Sequence, residues 1–272
     1  VVDASFKQVW VAGDIGPLGV RLAPFGRVQP EEARAAFSEQ ANALADAGVD
    51  LFLIETMTDL YEVRVAIAAV KEVAPGRLVI ASMTFTRDDR TLLGDDPQKV
   101  VKSLVADGTD IVGVNCSGGP AQLLRILKVM RQAEPGVRIS VMPNAGWPEQ
   151  VGGRIMYPAA ADYFGDYADT FRQYGAVLLG GCCGTTPRHI AALRKAVDQA
   201  GEGNPAESAA LEAVEAEERL PVTERTSQLE RRIQEGKFVV AVEMDPPRGL
   251  ATQKLIAGAS LLKEAGADVI DV

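Results

Sequence analysis

Three cysteines are the residues of this sequence best suited to chemistry. Cys116 ends the segment Gly-Val-Asn-Cys, and Cys182 and Cys183 are adjacent within Gly-Gly-Cys-Cys-Gly. Three cysteines are an odd number and too few for a disulfide framework in a chain of 272 residues, and a bridge between adjacent cysteines is strained. The pattern therefore favours metal binding or thiol chemistry.

Three thiolates are a ligand set that suits zinc. A zinc ion with three protein ligands keeps its fourth tetrahedral position for water or substrate, whereas a fourth ligand normally closes a structural site. His189 is the only histidine of the sequence and the candidate to close the site. Its place on a predicted helix favours instead a packed or solvent-facing role. We therefore predict an open zinc site.

An open site of this kind predicts the activation of a thiol. A substrate thiol that binds in the fourth position loses its proton. The resulting thiolate is a nucleophile at neutral pH and can attack an electrophilic methyl group. The alternatives are buried inert cysteines, a structural or storage zinc module closed by His189, and a redox role for the adjacent cysteine pair.

A repeated βα pattern must position these cysteines. Six short apolar runs are predicted as parallel strands covered on both faces, at residues 9–12, 51–54, 79–83, 111–114, 139–142 and 176–179. Helices are predicted to start near Pro30, Pro97 and Pro187. The cysteines follow the fourth and sixth runs. Because the carboxyl ends of parallel strands share one face of a barrel, we expect the three thiols to meet.

The predicted fold class is α/β, a (β/α)8 barrel that lacks its first two βα units in this segment. A doubly wound sheet is disfavoured, since no phosphate-binding Gly-x-Gly-x-x-Gly follows a strand. We expect the missing units upstream, in a longer polypeptide. The predicted domains are the barrel over residues 1–200, a linker with a helix over residues 201–236, and the start of a second α/β barrel over residues 237–272.

The composition excludes several classes of function. A hydrophobic fraction of 47% and a charged fraction of 24% are typical of a soluble globular chain. The net charge of -9 disfavours a nucleic-acid partner. No apolar run reaches the roughly 18 residues that a membrane span needs, and no secretory signal is recognisable. We predict a cytoplasmic protein with no membrane partner.

The cysteine segments resemble a known family. Residues 113–116 and 180–185 are similar to the zinc-binding motifs of the homocysteine S-methyltransferase family. Residues 11–13 with 15–17, the pair Glu55-Thr56, and residues 143–146 match the family as well, so the resemblance covers about residues 9–200. It implies a (β/α)8 barrel that binds Zn2+ through Cys116, Cys182 and Cys183 and transfers a methyl group to homocysteine, giving methionine.

The resemblance also implies which residues bind substrate. Glu55 is expected to bind the amino group of homocysteine, with a helix N-cap as the other interpretation. Asn144 and Asn115 are predicted to orient substrate or thiolates through hydrogen bonds, although asparagine is also common in tight turns. Asp14 stands where a serine is usual in the family, and its carboxylate either helps to hold a cationic group or faces solvent.

The methyl donor is left open. It is methyltetrahydrofolate acting through cobalamin, S-methylmethionine or S-adenosylmethionine. The first of these corresponds to an alternative interpretation of the chain, the homocysteine half of a cobalamin-dependent methionine synthase.

The last residues carry a second resemblance. Residues 240–248, Val-Ala-Val-Glu-Met-Asp-Pro-Pro-Arg, are similar to the opening strand of methylenetetrahydrofolate reductase, in which a glutamate before a Pro-Pro pair acts as an acid. Glu243 matches that glutamate. The resemblance implies a bifunctional protein whose reductase domain, with its FAD, lies mostly outside this segment. The expected partners are homocysteine, a methyl donor and a second domain.

Overall fold

The computed structural model describes residues 9–151, 154–199, 231–232, 235–237, 239–244 and 253–271. The chain divides into two compact units, Val1–Glu212 and Ala213–Val272. The predicted linker helix at residues 209–219 and the Pro246-Pro247 pair lie outside the described residues. The exact domain boundaries therefore stay predictions.

Six parallel strands form the sheet of the first unit, and each pairs with the next parallel strand along the chain. They are β1 (Ala12–Ile15), β2 (Leu51–Met57), β3 (Leu78–Met83), β4 (Ile111–Cys116), β5 (Ile139–Pro143) and β8 (Ala176–Leu179). The helices of this unit are α1 (Pro30–Asp46), α2 (Leu60–Val73), α3 (Pro97–Ala106), α4 (Pro120–Ala133), α5 (Ala161–Gln173) and α6 (Pro187–Gln199). This order is that of a partial (β/α)8 barrel, and the predicted α/β fold class is confirmed.

Three helices begin at the prolines that the sequence predicts as helix starts. Pro30, Pro97 and Pro187 open α1, α3 and α6, because proline fixes a helical φ and lacks only an N–H that has no partner in the first turn. Glycines with positive φ follow α1, α3 and α5, at Gly48 (81°), Gly108 (76°) and Gly175 (85°). Such glycines end a helix without the strain that a side chain would add.

The first strand starts later than predicted. An apolar run suggests a strand from residue 9, but the ladder with β2 begins at Ala12 opposite Leu51. Trp10, which precedes the ladder, is 65% exposed. Hydrophobicity alone set the predicted start, whereas the position of the partner strand sets the observed one.

A short antiparallel hairpin between β5 and α5 is also absent from the prediction. It consists of β6 (Glu149–Val151) and β7 (Arg154–Met156). Ile155 and Met156 are exposed, so this segment adds no buried apolar run. The Gly-Gly pair at residues 152–153 is the sequence signal of a hairpin. It lies within a repeated βα pattern, from which no hairpin is predicted.

The two faces of the sheet carry different side chains. On the outer face, toward the helices, Val79, Ala81 and Met83 of β3 belong to one continuous apolar core with residues of α1, α2, α3 and α4. Ser82 alternates with them and therefore lies on the opposite, inner face. The outer face of the sheet thus holds the main hydrophobic core, and the inner face carries polar residues such as Ser82 beside apolar ones such as Ile80.

The second unit contains a βαβ element. β9 (Ala241–Glu243) and β10 (Val269–Asp271) pair in parallel, with α7 (Gln253–Glu264) between them. The Asp268 carboxylate accepts the Val240 N–H at 3.0 Å and pairs with Arg232 at 3.0 Å. The parallel pairing of β9 and β10 with α7 between them makes this element a βαβ unit. Across the described parts of both units, no helix combines the length and apolar character that crossing a membrane requires.

Candidate metal centre

The structure brings the three predicted cysteines together. Cys116 is the last residue of β4, and Cys182 and Cys183 lie in the loop after β8. Their Sγ atoms all lie within 4.8 Å of one another, and those of Cys116 and Cys183 are 3.9 Å apart. The two loops meet because β4 and β8 both pair with β5.

The three thiols fit a tetrahedral zinc ion. Zinc–sulfur bonds of about 2.3 Å place sulfur ligands about 3.8 Å apart in a tetrahedron, close to the 3.9 Å separation of the Cys116 and Cys183 sulfur atoms. Among the described residues, no histidine, carboxylate or other cysteine joins this cluster as a fourth candidate ligand. Cys183 is exposed, so one side of the cluster is open to an incoming ligand.

An unusual backbone conformation directs Cys116 toward the other thiols. Cys116 and Ser117 have φ angles of 54° and 57°, in the left-handed region that residues other than glycine seldom adopt. The buried Ser117 hydroxyl donates to the Asn115 carbonyl at 3.1 Å and accepts the Phe85 N–H at 2.8 Å. These bonds stabilise a turn that would otherwise be strained.

Asn144 joins the two cysteine loops. It lies just after β5 and is buried. Its Oδ1 accepts the Cys183 N–H at 3.0 Å, and its Nδ2 donates to the Ser117 carbonyl at 3.1 Å. In addition, the Cys182 N–H donates to the Pro143 carbonyl at 2.8 Å. The end of β5 therefore holds both loops in place.

Asn115 joins the thiols to Glu55. Its buried Nδ2 donates to the Thr56 Oγ1 at 2.9 Å and to the Glu55 Oε2 at 3.3 Å, and lies 3.9 Å from the Cys182 Sγ. Its Oδ1 accepts the Thr56 N–H at 2.9 Å. Thr56 has a φ of 61°, which is rare for a β-branched residue. One amide thus links the carboxyl ends of β2 and β4 with a cysteine loop.

The half-buried carboxylate of Glu55 lies beside Asn115. Burial raises its pKa most, and the negative charges of Asp14 and Cys116 raise it further. Glu55 does not cap a helix, because Asp59 is the N-cap of α2 and accepts the Tyr61 N–H at 2.8 Å. The helix-cap interpretation is therefore wrong, and the carboxylate is available for another partner.

The thiols differ in acidity before any metal binds. Hydrogen bonds from Cys182, and then from Asn144 and Cys183, lower the pKa of Cys116 to about 5 despite its burial. The hydrogen bond to Cys116, together with burial, raises the pKa of Cys182. Hydrogen bonds within the cluster therefore favour one thiolate, and metal binding must displace the protons that remain.

Two contributors to the cluster are absent from the sequence prediction. Tyr157, after the β6–β7 hairpin, lies near Cys183, and the interaction with this thiol raises the pKa of the tyrosine. Ser117, described above, supports the turn at Cys116. A serine directly after Asn-Cys is a turn signal that identifies Ser117. No local signal identifies Tyr157, because an unpredicted hairpin brings it to the site.

The structure does not place His189 at the thiol cluster. Its Nδ1 accepts the Thr186 N–H at 3.1 Å, its Nε2 lies 3.1 Å from the Ala159 carbonyl oxygen, and its ring packs edge-on against Phe164. Both ring nitrogens are thus engaged, as expected for a packed helix residue. Glu243 is the last residue of β9 in the second unit, and its acid role stays a prediction.

Comparison with known sequences gives one family. The sequence model described as homocysteine S-methyltransferase matches residues 1–197. Methionine synthase of Mycobacterium leprae is 31% identical over 199 residues, and that of Mycobacterium tuberculosis is 34% identical over 197 residues. These matches cover 71% and 70% of this chain but only 16% of each relative. The chain thus spans about a sixth of the length of the relatives it matches.

Comparison with solved structures gives the same fold. The homocysteine methyltransferase MmuM from Escherichia coli, in its apo form, is 26% identical with a TM-score of 0.56, over 70% of this chain and 63% of that one. Its metallated form is 27% identical with a TM-score of 0.56, over 70% of this chain and 62% of the other. The residues that the family model matches, 1–197, contain the six-stranded sheet and the three cysteines.

Proposed function

We propose, since the chain belongs to the homocysteine S-methyltransferase family, that it binds zinc and methylates the thiol of homocysteine to give methionine. One observation carries the proposal. Three cysteine sulfur atoms lie within 4.8 Å of one another at the carboxyl ends of parallel strands, and the described residues offer no fourth ligand to close the site. A site of this composition suits a thiol as the fourth ligand.

Each residue of the site has a proposed task. Cys116, Cys182 and Cys183 hold the zinc ion, which when bound supplies the positive charge that lowers the pKa of a thiol. Asn144 fixes the two cysteine loops, so the three sulfur atoms are arranged before the ion arrives. Such supporting hydrogen bonds set the orientation of metal ligands and tune their affinity.

Glu55 is proposed to receive the amino group of homocysteine. Its carboxylate is destabilised by burial and by neighbouring negative charge, as its raised pKa indicates. A positively charged ammonium group at this place favours the ionised carboxylate and compensates that cost. Asn115, bonded to Glu55 and close to Cys182, sets the spacing between the ammonium site and the thiol site.

The proposed methyl donor is methyltetrahydrofolate, delivered through cobalamin by another part of a longer polypeptide. The similarity to two mycobacterial methionine synthases favours this donor. In this second form of the proposal the chain is the homocysteine part of a methionine synthase. S-methylmethionine and S-adenosylmethionine are the competing donors, and a methyl-transfer assay with each donor in turn separates them.

A reductase at the end of the chain is a separate proposal. It rests only on residues 240–248 and on Glu243 as the acid toward the folate. It implies FAD in the remainder of that domain. Fluorescence of FAD released from the denatured longer polypeptide checks it, since cobalamin does not give this signal, and the absence of FAD contradicts the reductase proposal alone.

Zinc-edge X-ray absorption tests the main proposal. The zinc-loaded chain is expected to show three sulfur ligands and one lighter ligand, and four sulfur ligands after homocysteine is added. The matched variant His189→Ala is expected to give both spectra unchanged, because His189 is bound to Thr186 and Ala159 instead. A coordination shell that homocysteine leaves unaltered contradicts methyl transfer and supports a storage or structural module.

A further inference from the structure

The loop that carries Cys116 lies between two neighbouring loops, and both are bonded to it. On one side, the loop between β3 and α3 contributes the Phe85 N–H, which donates to the Ser117 Oγ at 2.8 Å. On the other side, the loop after β5 contributes the Asn144 N–H, which donates to the Gly118 carbonyl at 3.0 Å. The loop between β4 and α4 is therefore held from both of its sides.

Arg87 and Trp147 join the two neighbouring loops to each other. Arg87 lies in the loop between β3 and α3, and Trp147 lies in the loop after β5. The guanidinium carbon of Arg87 is 4.7 Å from the centroid of the Trp147 ring, within the ~6 Å over which the face of an aromatic ring attracts a cation. Among the described residues, the Arg87 side chain has no hydrogen bond or ion pair, so this stacking is the contact that orients it.

The Trp147 ring packs directly on the Cys116 loop. A Cβ built on Gly118 would lie 2.5 Å from the Cε2 and 2.7 Å from the Cζ2 of the indole, and 2.6 Å from the Gln122 Oε1. The absence of a side chain at Gly118 therefore permits the close approach of the ring. Gly118 and Ser117 are buried although they belong to a loop. The indole thus covers the turn that follows Cys116.

The covered turn needs such support. Cys116 and Ser117 have φ angles of 54° and 57°, and residues other than glycine keep this conformation only where the surrounding structure fixes it. The position of the Cys116 Sγ, 3.9 Å from the Cys183 Sγ, depends on that turn. The hydrogen bonds described above hold the turn at its two sides, and the Trp147 ring covers it.

We infer that Arg87 and Trp147 are positioning residues of the metal centre, which by stacking over the Cys116 loop keep the Cys116 Sγ in place as a ligand and slow the release of the metal. The inference rests on the proposed zinc site and goes beyond it, because neither residue is a ligand. It assigns a function to the contact between two loops that carry no cysteine. Loss of this contact frees the Cys116 turn first, since Asn144 bonds directly to the Cys183 N–H.

Two measurements on the full chain test the inference. The first is the rate at which the zinc-loaded protein transfers its metal to a chromophoric chelator. The second is the visible absorption of the cobalt(II)-substituted protein, which depends on how the sulfur ligands are arranged around the metal. Arg87→Ala should speed zinc release about two- to fivefold, and Trp147→Leu about tenfold or more. Both variants should alter the cobalt spectrum, and Arg87→Lys should restore part of the loss, because an ammonium group also stacks on the indole.

Lys128→Ala is the matched control. The Lys128 Nζ lies 4.9 Å from the centroid of the Tyr174 ring, in the last half of α4, whereas the Cys116 loop precedes that helix. This variant therefore removes a cation from an aromatic ring elsewhere in the same unit, and it should change neither zinc release nor the cobalt spectrum.

Three results contradict the inference. The first is a wild-type rate of zinc release from both Arg87→Ala and Trp147→Leu, and the second is an Arg87→Lys variant no better than Arg87→Ala. The third is a lower unfolding midpoint of the metal-free variants with an unaltered cobalt spectrum, which assigns the pair to folding alone. The proposed function fails by a different result: homocysteine then leaves the cobalt spectrum of the wild-type chain unaltered, whatever the variants do.

Discussion

The outer and inner faces of the same sheet are built for different purposes. The outer face, toward the helices, buries Val79, Ala81 and Met83 of β3 in a continuous apolar core. The inner face at the carboxyl end carries Ser82 and Glu55, with an unpartnered hydroxyl and a destabilised carboxylate. The comparison teaches that alternation along a strand places residues of the main core and residues of the candidate site on opposite faces.

The backbone shows the same division. Of the described residues other than glycine, four have positive φ, and three of these, Thr56, Cys116 and Ser117, stand at the carboxyl ends of β2 and β4. Each such residue costs about 1–3 kcal/mol. The apolar layer beneath provides the stability that keeps these turns in place, so the two faces should respond differently to substitution.

The largest expected effect is on the outer face, where Phe37→Ala should lower the free energy of unfolding by about 3–5 kcal/mol. Phe37 lies on α1 and is fully buried in the main apolar core that packs on the outer face of the sheet, and truncating a buried phenylalanine leaves a cavity. Urea unfolding measures the loss, and metal analysis at low temperature should still find one zinc per chain. Phe25→Ala, at a residue that is 67% exposed, is the control and should change stability by less than about 0.5 kcal/mol.

The next effect belongs to the inner face and its loops, where Cys183→Ser should weaken zinc binding by more than about 100-fold. Removal of a direct ligand should exceed the 10–100-fold losses typical of the groups that support ligands. Competition with a chromophoric chelator measures the affinity. Because Cys183 is exposed, the unfolding midpoint of the metal-free variant should match that of the wild type. Undiminished zinc affinity in this variant contradicts the three-cysteine site.

A smaller loss is expected for Asn144→Ala, which should weaken zinc binding by about 10–100-fold. The asparagine touches no metal but bonds to the Cys183 N–H and the Ser117 carbonyl, so its removal loosens both loops. The same chelator competition measures it. Asn42→Ala, at an exposed asparagine of α1, removes the same side chain from the outer layer and should have no effect on zinc. Equal zinc affinities of the two variants contradict the positioning role of Asn144.

The sequence predicts the outer layer better than the inner one. The apolar runs identify β2 to β5 and β8, because a strand that is buried on both faces consists of an almost continuous run of apolar residues. The convergence of Cys116 with Cys182 and Cys183 also follows, since parallel strands end on one side. The acceptor role of Asn144 and the position of Tyr157 depend on contacts between loops far apart in the chain. Such contacts produce no local sequence pattern. The start of β1 has no local pattern either, because its pairing with β2 determines where the strand begins.

The smallest effect tests the inner face through pH, and it has the opposite sign to the core substitution. The pKa of Glu55 is raised in the fold by burial and by the charges of Asp14 and Cys116. The native state therefore holds this proton more tightly than the unfolded chain, and wild-type stability falls as the pH rises from the ordinary glutamate value through the raised one. Glu55→Gln removes the ionisation and can still accept the Asn115 N–H.

The melting temperature of the metal-free Glu55→Gln variant should therefore equal that of the metal-free wild type near pH 4 and exceed it at pH 7. The gain should stay below about 4 °C, because the carboxylate is only half-buried and solvent screens its charge. Asp88→Asn, at an exposed carboxylate, should show no difference that depends on pH. If zinc and homocysteine added together at pH 7 reverse the order and make the wild type the more stable protein, the carboxylate that destabilises the empty fold is the one that binds substrate. If the variant is instead less stable than the wild type at every pH, Glu55 stabilises the fold. The two faces then do not differ at this residue.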